Sequence, residues 1–286
     1  MPRTDGRLVI ESLDTGRTLE RSHWSELGDS SELSLLSRLL CFFRAESLTL
    51  RTRGESPAGA GLAGSSALNV AVCGAMARWT QITYSPDALL EIAMNVEAQA
   101  LGVPTGVQDY RPAYYGGVAA VEFGVDGVRR VPLDVDPSEL ERRIVLAYTG
   151  APRNSGTNNW EITKRHIDGD SGVFDCFERI RDAAAAMRVA LARGDWPEVG
   201  RQIAREWQTR KRLAPGVTTP AIEALIDRAC TAGACSAKVC GAGGGGCLFC
   251  FAEPQVVPAV RAALAEAGAQ VLDYRIDREG LRVVDR

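Results

Sequence analysis

The sequence has no apolar run approaching the roughly 18 residues that span a bilayer. Met1 to Arg7 also lack the basic-then-apolar pattern of a signal peptide. Neither charge dominates: 33 bases against 36 acids give a net charge of -3, and no basic cluster is present. Nucleic-acid binders usually carry such a cluster. No nucleic-acid partner and no membrane partner are therefore expected, and the expected location is cytoplasmic. Internal repeats and low-complexity linkers are missing too. The apolar share of 45% and charged share of 24% are ordinary for globular proteins and exclude general disorder. A length of 286 residues suits one large or two ordinary domains.

A second metal-binding arm is also missing. Eight cysteines are present, five of them between Cys230 and Cys250. Zinc sites usually need two CxxC arms or a histidine pair. The single CxxC, Cys247–Cys250, lies in the strand-like run CLFCFA, where positions three apart face opposite ways. Buried free thiols are expected.

What the chain has in excess is glycine: 29 residues, against a usual share of about 7%. They bunch at 54–64, 102–127 and 233–246. Strands are predicted near Val9–Ile10, Leu48–Arg51, Gly117–Phe123, Val128–Leu133, Ile144–Tyr148, Ala237–Cys240, Cys247–Phe251 and Val271–Ile276. Helices are predicted over Ser66–Trp79, Asp87–Leu101, Phe174–Leu191, Trp196–Leu213, Thr219–Ala232 and Pro254–Ala267. Strands and helices mix without strict alternation, so the expected class is α+β. A boundary is expected near 134–143, dividing the chain into 1–138 and 139–286.

The first glycine segment runs from Pro57 to Ala67 between a predicted strand and a buried helix. Glycine backbone and a helix N-terminus suit a phosphate. As a Walker A loop it fails, since Ser65 stands where lysine is required. Gly59, Gly61 and Gly64 spell the dinucleotide fingerprint. However, the first acid after them, Asp87, follows Ser85-Pro86 at a helix start, with no strand between.

The segment resembles the second motif of the GHMP kinases (galactokinase, homoserine, mevalonate and phosphomevalonate kinases). An inserted-looking Ala63-Gly64 replaces the usual single small residue. Lys238 and the run Gly241-Ala242-Gly243-Gly244-Gly245-Gly246 match the family's third motif, which lies beside its active site. Glu97, followed by Gly102-Val103-Pro104-Thr105-Gly106 and Asp109, resembles the family's galactokinase form. Tyr115-Gly116-Gly117 to Glu122-Phe123, Ala147 to Gly150, Glu206-Trp207 with Lys211, and Tyr274 to Ile276 with Gly280 are similar to the sugar-1-kinases acting on D-glycero-D-manno-heptose 7-phosphate.

The resemblance implies a two-domain fold, ribosomal protein S5 domain 2-like then ferredoxin-like. It implies γ-phosphoryl transfer from ATP to a hydroxyl of a sugar or sugar phosphate. The expected acceptor is the anomeric hydroxyl of the heptose 7-phosphate. A galactokinase- or fucokinase-like kinase, or an impaired ATP-binding homologue, is the alternative. Pro57, Gly59, Ala60, Gly61, Leu62, Gly64, Ser65 and Ser66 would hold the nucleotide. No lysine accompanies this loop, so Mg²⁺ must carry most of the neutralisation; Ser66 and Glu97 are its implied ligands. Asp109 is the implied catalytic base. Thr105, Gly106, Asp109, Thr149, Arg153, Gly243 and Gly244 are the implied substrate contacts, in a monomer or homodimer. The family's first motif has no counterpart here: residues 1–20 resemble the strand pair that follows it. The front is expected to be short by one strand–turn–strand unit.

Overall fold

The computed structural model describes residues 1–28, 30–57, 59–152 and 155–285, without the side chains of 155–158. The chain forms two compact units that follow packing rather than chain order. The first holds Met1–Ser56, Ala63–Gly116 and 278–286; the second holds Pro57–Leu62 and Gly117–Asp277.

In the first unit, β1 (Leu8–Ser12) pairs antiparallel with β2 (Arg17–Arg21). After a 3₁₀ turn at Trp24–Glu26 and helix α1 (Ser34–Phe42), β3 (Thr49–Thr52) pairs parallel with β1, giving the order β2-β1-β3. Helix α2 (Gly64–Trp79) follows, two residues earlier than predicted. Its near-continuous apolar surface explains why it is deeply buried: Val70, Val72, Cys73 and Met76 enter one core with Leu39 and Leu40 of α1. Helix α3 (Pro86–Leu101) starts where its cap signals put it. The Ser85 side chain accepts the Ala88 amide at 3.2 Å, Pro86 opens the first turn, and Gly102 closes the helix at φ +69. The short α4 (Tyr110–Tyr115) sends Tyr110 into the same core.

In the second unit, β4 (Ala119–Gly124) and β5 (Gly127–Pro132) form a hairpin, followed by α5 (Pro137–Glu141). Strand β6 (Ile144–Tyr148) leads to α6 (Ser155–Ile167), α7 (Ser171–Arg193), α8 (Trp196–Arg210) and α9 (Pro220–Thr231). Strands β7 (Ser236–Val239) and β8 (Cys247–Phe251), helix α10 (Val257–Glu266) and β9 (Gln270–Leu272) complete it. The sheet is antiparallel throughout, ordered β7-β8-β6-β9. Read from its other edge this is strands four, one, three and two of a βαββαβ unit, the ferredoxin-like arrangement. Apolar residues of β6 and β8 (Val145, Ala147, Leu248, Cys250) meet Ile222, Leu225, Val260 and Leu264 of the helices.

None of the eight cysteines forms a disulfide; Cys73, Cys176, Cys247 and Cys250 are buried as expected, whereas Cys230, near the end of α9, and Cys235, just before β7, are exposed, against the expectation of burial. Burial pushes the thiols of Cys73 and Cys250 up to about 12 and that of Cys247 to about 11.

Candidate active site

Two glycine segments of the sequence are joined within the second unit. The Ala60 amide is held by the Pro57 carbonyl at 3.0 Å, and the Ala60 carbonyl accepts the Cys247 amide at 2.6 Å. Ala60 is buried with Leu146 and Cys247, so the start of the first loop is part of this unit's core. The loop 241–246 is pressed against other backbone. Gly244 N donates to the Val217 carbonyl at 2.9 Å and Gly246 N to the Ala151 carbonyl at 2.8 Å. Four successive glycines from Gly243 have positive φ. A Cβ on Gly246 would lie 2.6 Å from the Ala60 oxygen and 2.8 Å from that of Gly59. The Thr149 hydroxyl and amide both donate to the Gly246 carbonyl, at 2.8 and 3.0 Å. Gly243 is buried and Gly244 half-buried. The glycines of this loop thus let it pack closely on the backbone of Val217, Ala151 and Ala60. Arg153 lies outside the described residues.

Lys238, at the end of this motif, forms an ion pair with Glu206 of α8, which also binds Arg210 at 2.5 Å. Burial works to raise the Glu206 carboxyl. The Lys238 and Arg210 charges outweigh it and hold the group below the ordinary range. Trp207 belongs to the core of the second unit, only 2% exposed.

In the first unit, Ser66 and Asn69 stand one turn apart on α2, and Ala93 and Glu97 one turn apart on α3. These spacings put each pair on one helix face. Glu97 is only 4% exposed. Its Oε2 accepts from the Tyr110 hydroxyl at 2.7 Å, Ser66 Oγ at 3.3 Å and Asn69 Nδ2 at 3.4 Å. Asn69 is itself oriented, donating to the Ala93 carbonyl at 2.6 Å and accepting from Cys73 Sγ at 3.4 Å. Burial, with the Glu97 charge adding to it, raises the Tyr110 hydroxyl far above an ordinary phenol; the Thr105 and Ser66 hydroxyls beside it work the other way. Thr105 Oγ1 also donates to the Met94 carbonyl at 3.4 Å. Asp109 occupies the N-cap position of α4, half-buried and directly before Tyr110. Gly106 is exposed nearby in the chain.

No described cation pairs with the buried Glu97, whose partners are all neutral donors. An interior carboxylate without a counter-charge is costly. Glu97 and Ser66 supply only oxygen ligands, the kind hard cations take. The described residues hold no cluster of three or more His, Cys, Asp or Glu fit for a metal. Mg²⁺ does not need one, since it uses one or two carboxylates plus substrate phosphates. The residues present therefore fit Mg²⁺. Helix α2 also leaves its N-terminus free of acidic side chains in the first turn. Ala63, at its N-cap, sits in the left-handed region at φ +57, a strained conformation of the kind found at ligand clamps. Ser65 is exposed, while Ser66 is buried.

Sequence reasoning named Ser66, Glu97 and Asp109 but missed Tyr110 and Asn69. The helical spacing Ser66–Asn69 was the available signal for one; nothing local in the sequence marked Tyr110.

The fold and these motifs are those of an ATP-dependent small-molecule kinase. Residues 33–117 match the GHMP kinases N terminal domain and residues 187–270 the GHMP kinases C terminal family, and the chain belongs to the GHMP kinases. It is 30% identical over 292 residues to D-glycero-alpha-D-manno-heptose 7-phosphate kinase of Campylobacter jejuni, covering 98% of this chain and 85% of that protein. A D-glycero-D-manno-heptose 1-phosphate kinase structure from Bacteroides thetaiotaomicron superposes with TM-score 0.77 at 23% identity, covering 100% of this chain and 86% of that one. Lactococcus lactis galactokinase with galactose superposes with TM-score 0.79 at 18% identity, covering 98% and 84%. No helix among the described residues is long and apolar enough to cross a membrane.

Proposed function

We propose that this sugar-phosphate kinase transfers the γ-phosphoryl group of ATP to the anomeric hydroxyl of D-glycero-D-manno-heptose 7-phosphate. The observation that carries the sugar is the 30% identity to a heptose 7-phosphate kinase along 98% of the chain. The motif-bearing residues support the chemistry.

Pro57, Gly59, Ala60, Gly61, Leu62, Gly64, Ser65 and Ser66 hold the nucleotide phosphates. The α2 N-terminus supplies amides and about half a positive charge. Ser66 Oγ and the Glu97 carboxylate would hold Mg²⁺, which neutralises charge on the triphosphate. Asp109 accepts the proton of the attacking hydroxyl; phosphoryl transfer has a loose transition state, so orientation of that hydroxyl is its main task. Thr105, Gly106, Thr149, Arg153, Gly243 and Gly244 contribute to acceptor binding. The two family matches fall on either side of the division we propose at 138/139. Eight cysteines without a disulfide and the need for ATP favour a reducing compartment such as the cytoplasm.

Release of ADP, measured with heptose 7-phosphate, heptose 1-phosphate, galactose, fucose and mevalonate, tests this. Turnover should be greatest with the 7-phosphate. Preference for unphosphorylated galactose or fucose would move the assignment to that branch. ATP binding without turnover on any acceptor would leave a nucleotide-binding homologue.

A further inference from the structure

We infer that Tyr110 is a positioning residue for Glu97, its hydroxyl claiming Oε2 and leaving Oε1 to face a cation. The inference rests on the proposal that Glu97 and Ser66 hold Mg²⁺ and adds a residue that none of the family motifs quoted above assigns. Three observations carry it.

First, the donors converge. Tyr110, Ser66 and Asn69 all reach Oε2, and among the described residues none of them reaches Oε1. A carboxylate free to rotate offers either oxygen; one pinned at a single oxygen offers only the other.

Second, the three bonds are unequal. At 2.7 Å the tyrosine bond has the length of a good O–H···O bond, whereas 3.3 and 3.4 Å lie at the outer edge of bonding. The phenol is the donor that fixes the group. Ser66 also keeps its oxygen lone pairs for a ligand, because its part in the network is as a weak donor.

Third, the tyrosine is enclosed by the core. It is 1% exposed in a core that includes Leu89, Leu90, Ala93 and Val96 of α3. Tyr110 is also the first residue of α4, and Asp109 is that helix's N-cap. One buried ring therefore ties the backbone at Asp109 to the carboxylate of Glu97. Base and metal ligand keep their register through a single hydrogen bond.

The test uses the full-length protein and Mn²⁺, a paramagnetic stand-in for Mg²⁺, titrated against the complex with a non-hydrolysable ATP analogue and read by electron paramagnetic resonance. Tyr110→Phe keeps the ring and deletes the donor. Partners one shell outside a metal typically govern affinity by about 10–100-fold, and a loss of that size in Mn²⁺ affinity is expected. Replacing Tyr110 by 4-aminophenylalanine, which returns a donor on the same ring, should restore most of it. A role in packing alone would lower the melting temperature of Y110F and leave Mn²⁺ affinity unchanged, and that result overturns the inference. If Y110F melts too low for titration at 25 °C, the titration at 10 °C and the 4-aminophenylalanine variant decide the matter by the same criterion. Glu97→Gln separates the two levels. Weak Mn²⁺ binding in E97Q with normal binding in Y110F rejects only the role of Tyr110. Normal binding in E97Q rejects the Mg²⁺ site and this inference with it.

Discussion

The carbonyl of Ala60 accepts the amide of Cys247 at 2.6 Å, so the first glycine loop is stitched to the strand that follows the third. Gly246 stands beside this bond with φ +79. A Cβ there would strike the backbone oxygens of Ala60 and Gly59, and backbone cannot swing aside as a side chain can. Gly246→Ala should cost more than about 2 kcal/mol, combining left-handed strain of about 1–2 kcal/mol with the clash. It should also raise the KM for ATP, because the loop carrying Gly59 to Leu62 must move. Gly194→Ala is the control: φ is +65, but nothing lies within 4 Å, so only about 1 kcal/mol is expected. Thermal melting and ATP titration of the two variants check both statements.

Asp109→Asn should cut turnover by roughly 10²–10⁴-fold, the usual contribution of a positioned base, with the melting temperature little changed. Asp109 sits at the N-cap position of α4 and makes no side-chain cap hydrogen bond there, so the isosteric Asn removes no cap bond. ADP release beside a melting curve is the check. Near-normal turnover would remove Asp109 from the mechanism.

Glu206 and Lys238 give a stability prediction with a definite sign. Both side chains are mostly buried. Removing one partner of such a pair leaves a lone interior charge, which costs about 3–5 kcal/mol. Glu206→Gln, which strands Lys238, should approach that loss; Lys238→Met should cost less, because Arg210 still pairs with Glu206, and the double variant should recover part of the E206Q loss. The Glu206 carboxyl is depressed in the folded state. Its contribution is therefore present above the ordinary glutamate value of about 4.3 and is lost as pH falls through the lower folded value. Denaturant melts between pH 3 and 6 should show a shallower acid limb in E206Q.

The raised thiols act at the other end of the scale. Cys73, Cys247 and Cys250 stay protonated in the fold up to about 11–12, whereas unfolded thiols ionise near about 8.5. The unfolded state thus releases protons first, and stability should fall as pH rises from about 8.5 toward 11. Below that window these thiols should resist alkylation in the native protein and react on unfolding. Rapid labelling of all eight native cysteines at pH 8 would contradict the packing described.

Much of this was legible in the chain because the signals are local. Ser85-Pro86 and Gly102 bracket α3, and the uniformly apolar face of α2 announced its burial. Glu97 and Asp109 were found because the glycine and proline between them resemble the galactokinase form of the family. Helices α1, α4, α5 and α6 were not predicted, and β2 was foreseen only through the resemblance of residues 1–20 to a strand pair: α1 lacks a capping side chain, and β2 exposes most of its residues. Their patterns are written by tertiary contacts. Tyr110 was missed for the same reason, since its partner Glu97 belongs to a different helix. The third glycine loop was recognised by its resemblance to a family motif; that its glycines also admit the backbone of Val217, Ala151 and Ala60 is a tertiary fact that no spacing rule shows.

The C-terminal segment offers the sharpest contrast between two glycines. Residues 278–286 pack with the first unit: Leu281 N donates to the Tyr114 carbonyl at 2.9 Å, and Asp285 pairs with Arg78. At Gly280, φ is +74 and a Cβ would meet the Tyr114 carbonyl and the Gly116 amide, all backbone. At Gly74, in the middle of α2, a Cβ would meet the methyl ends of Leu281 at 2.8 and 3.0 Å and of Val283 at 3.2 Å. Those side chains can turn, and alanine favours a helix by about 1 kcal/mol over glycine. Gly280→Ala should therefore destabilise the protein by more than about 2 kcal/mol, while Gly74→Ala should change it by less than about 1 kcal/mol. Because Tyr114 belongs to α4, which begins at Tyr110, G280A should also lower kcat, and G74A should not. Equal losses in the two variants, by melting and by ADP release, would mean that the segment packs by side chains alone and does not brace α4.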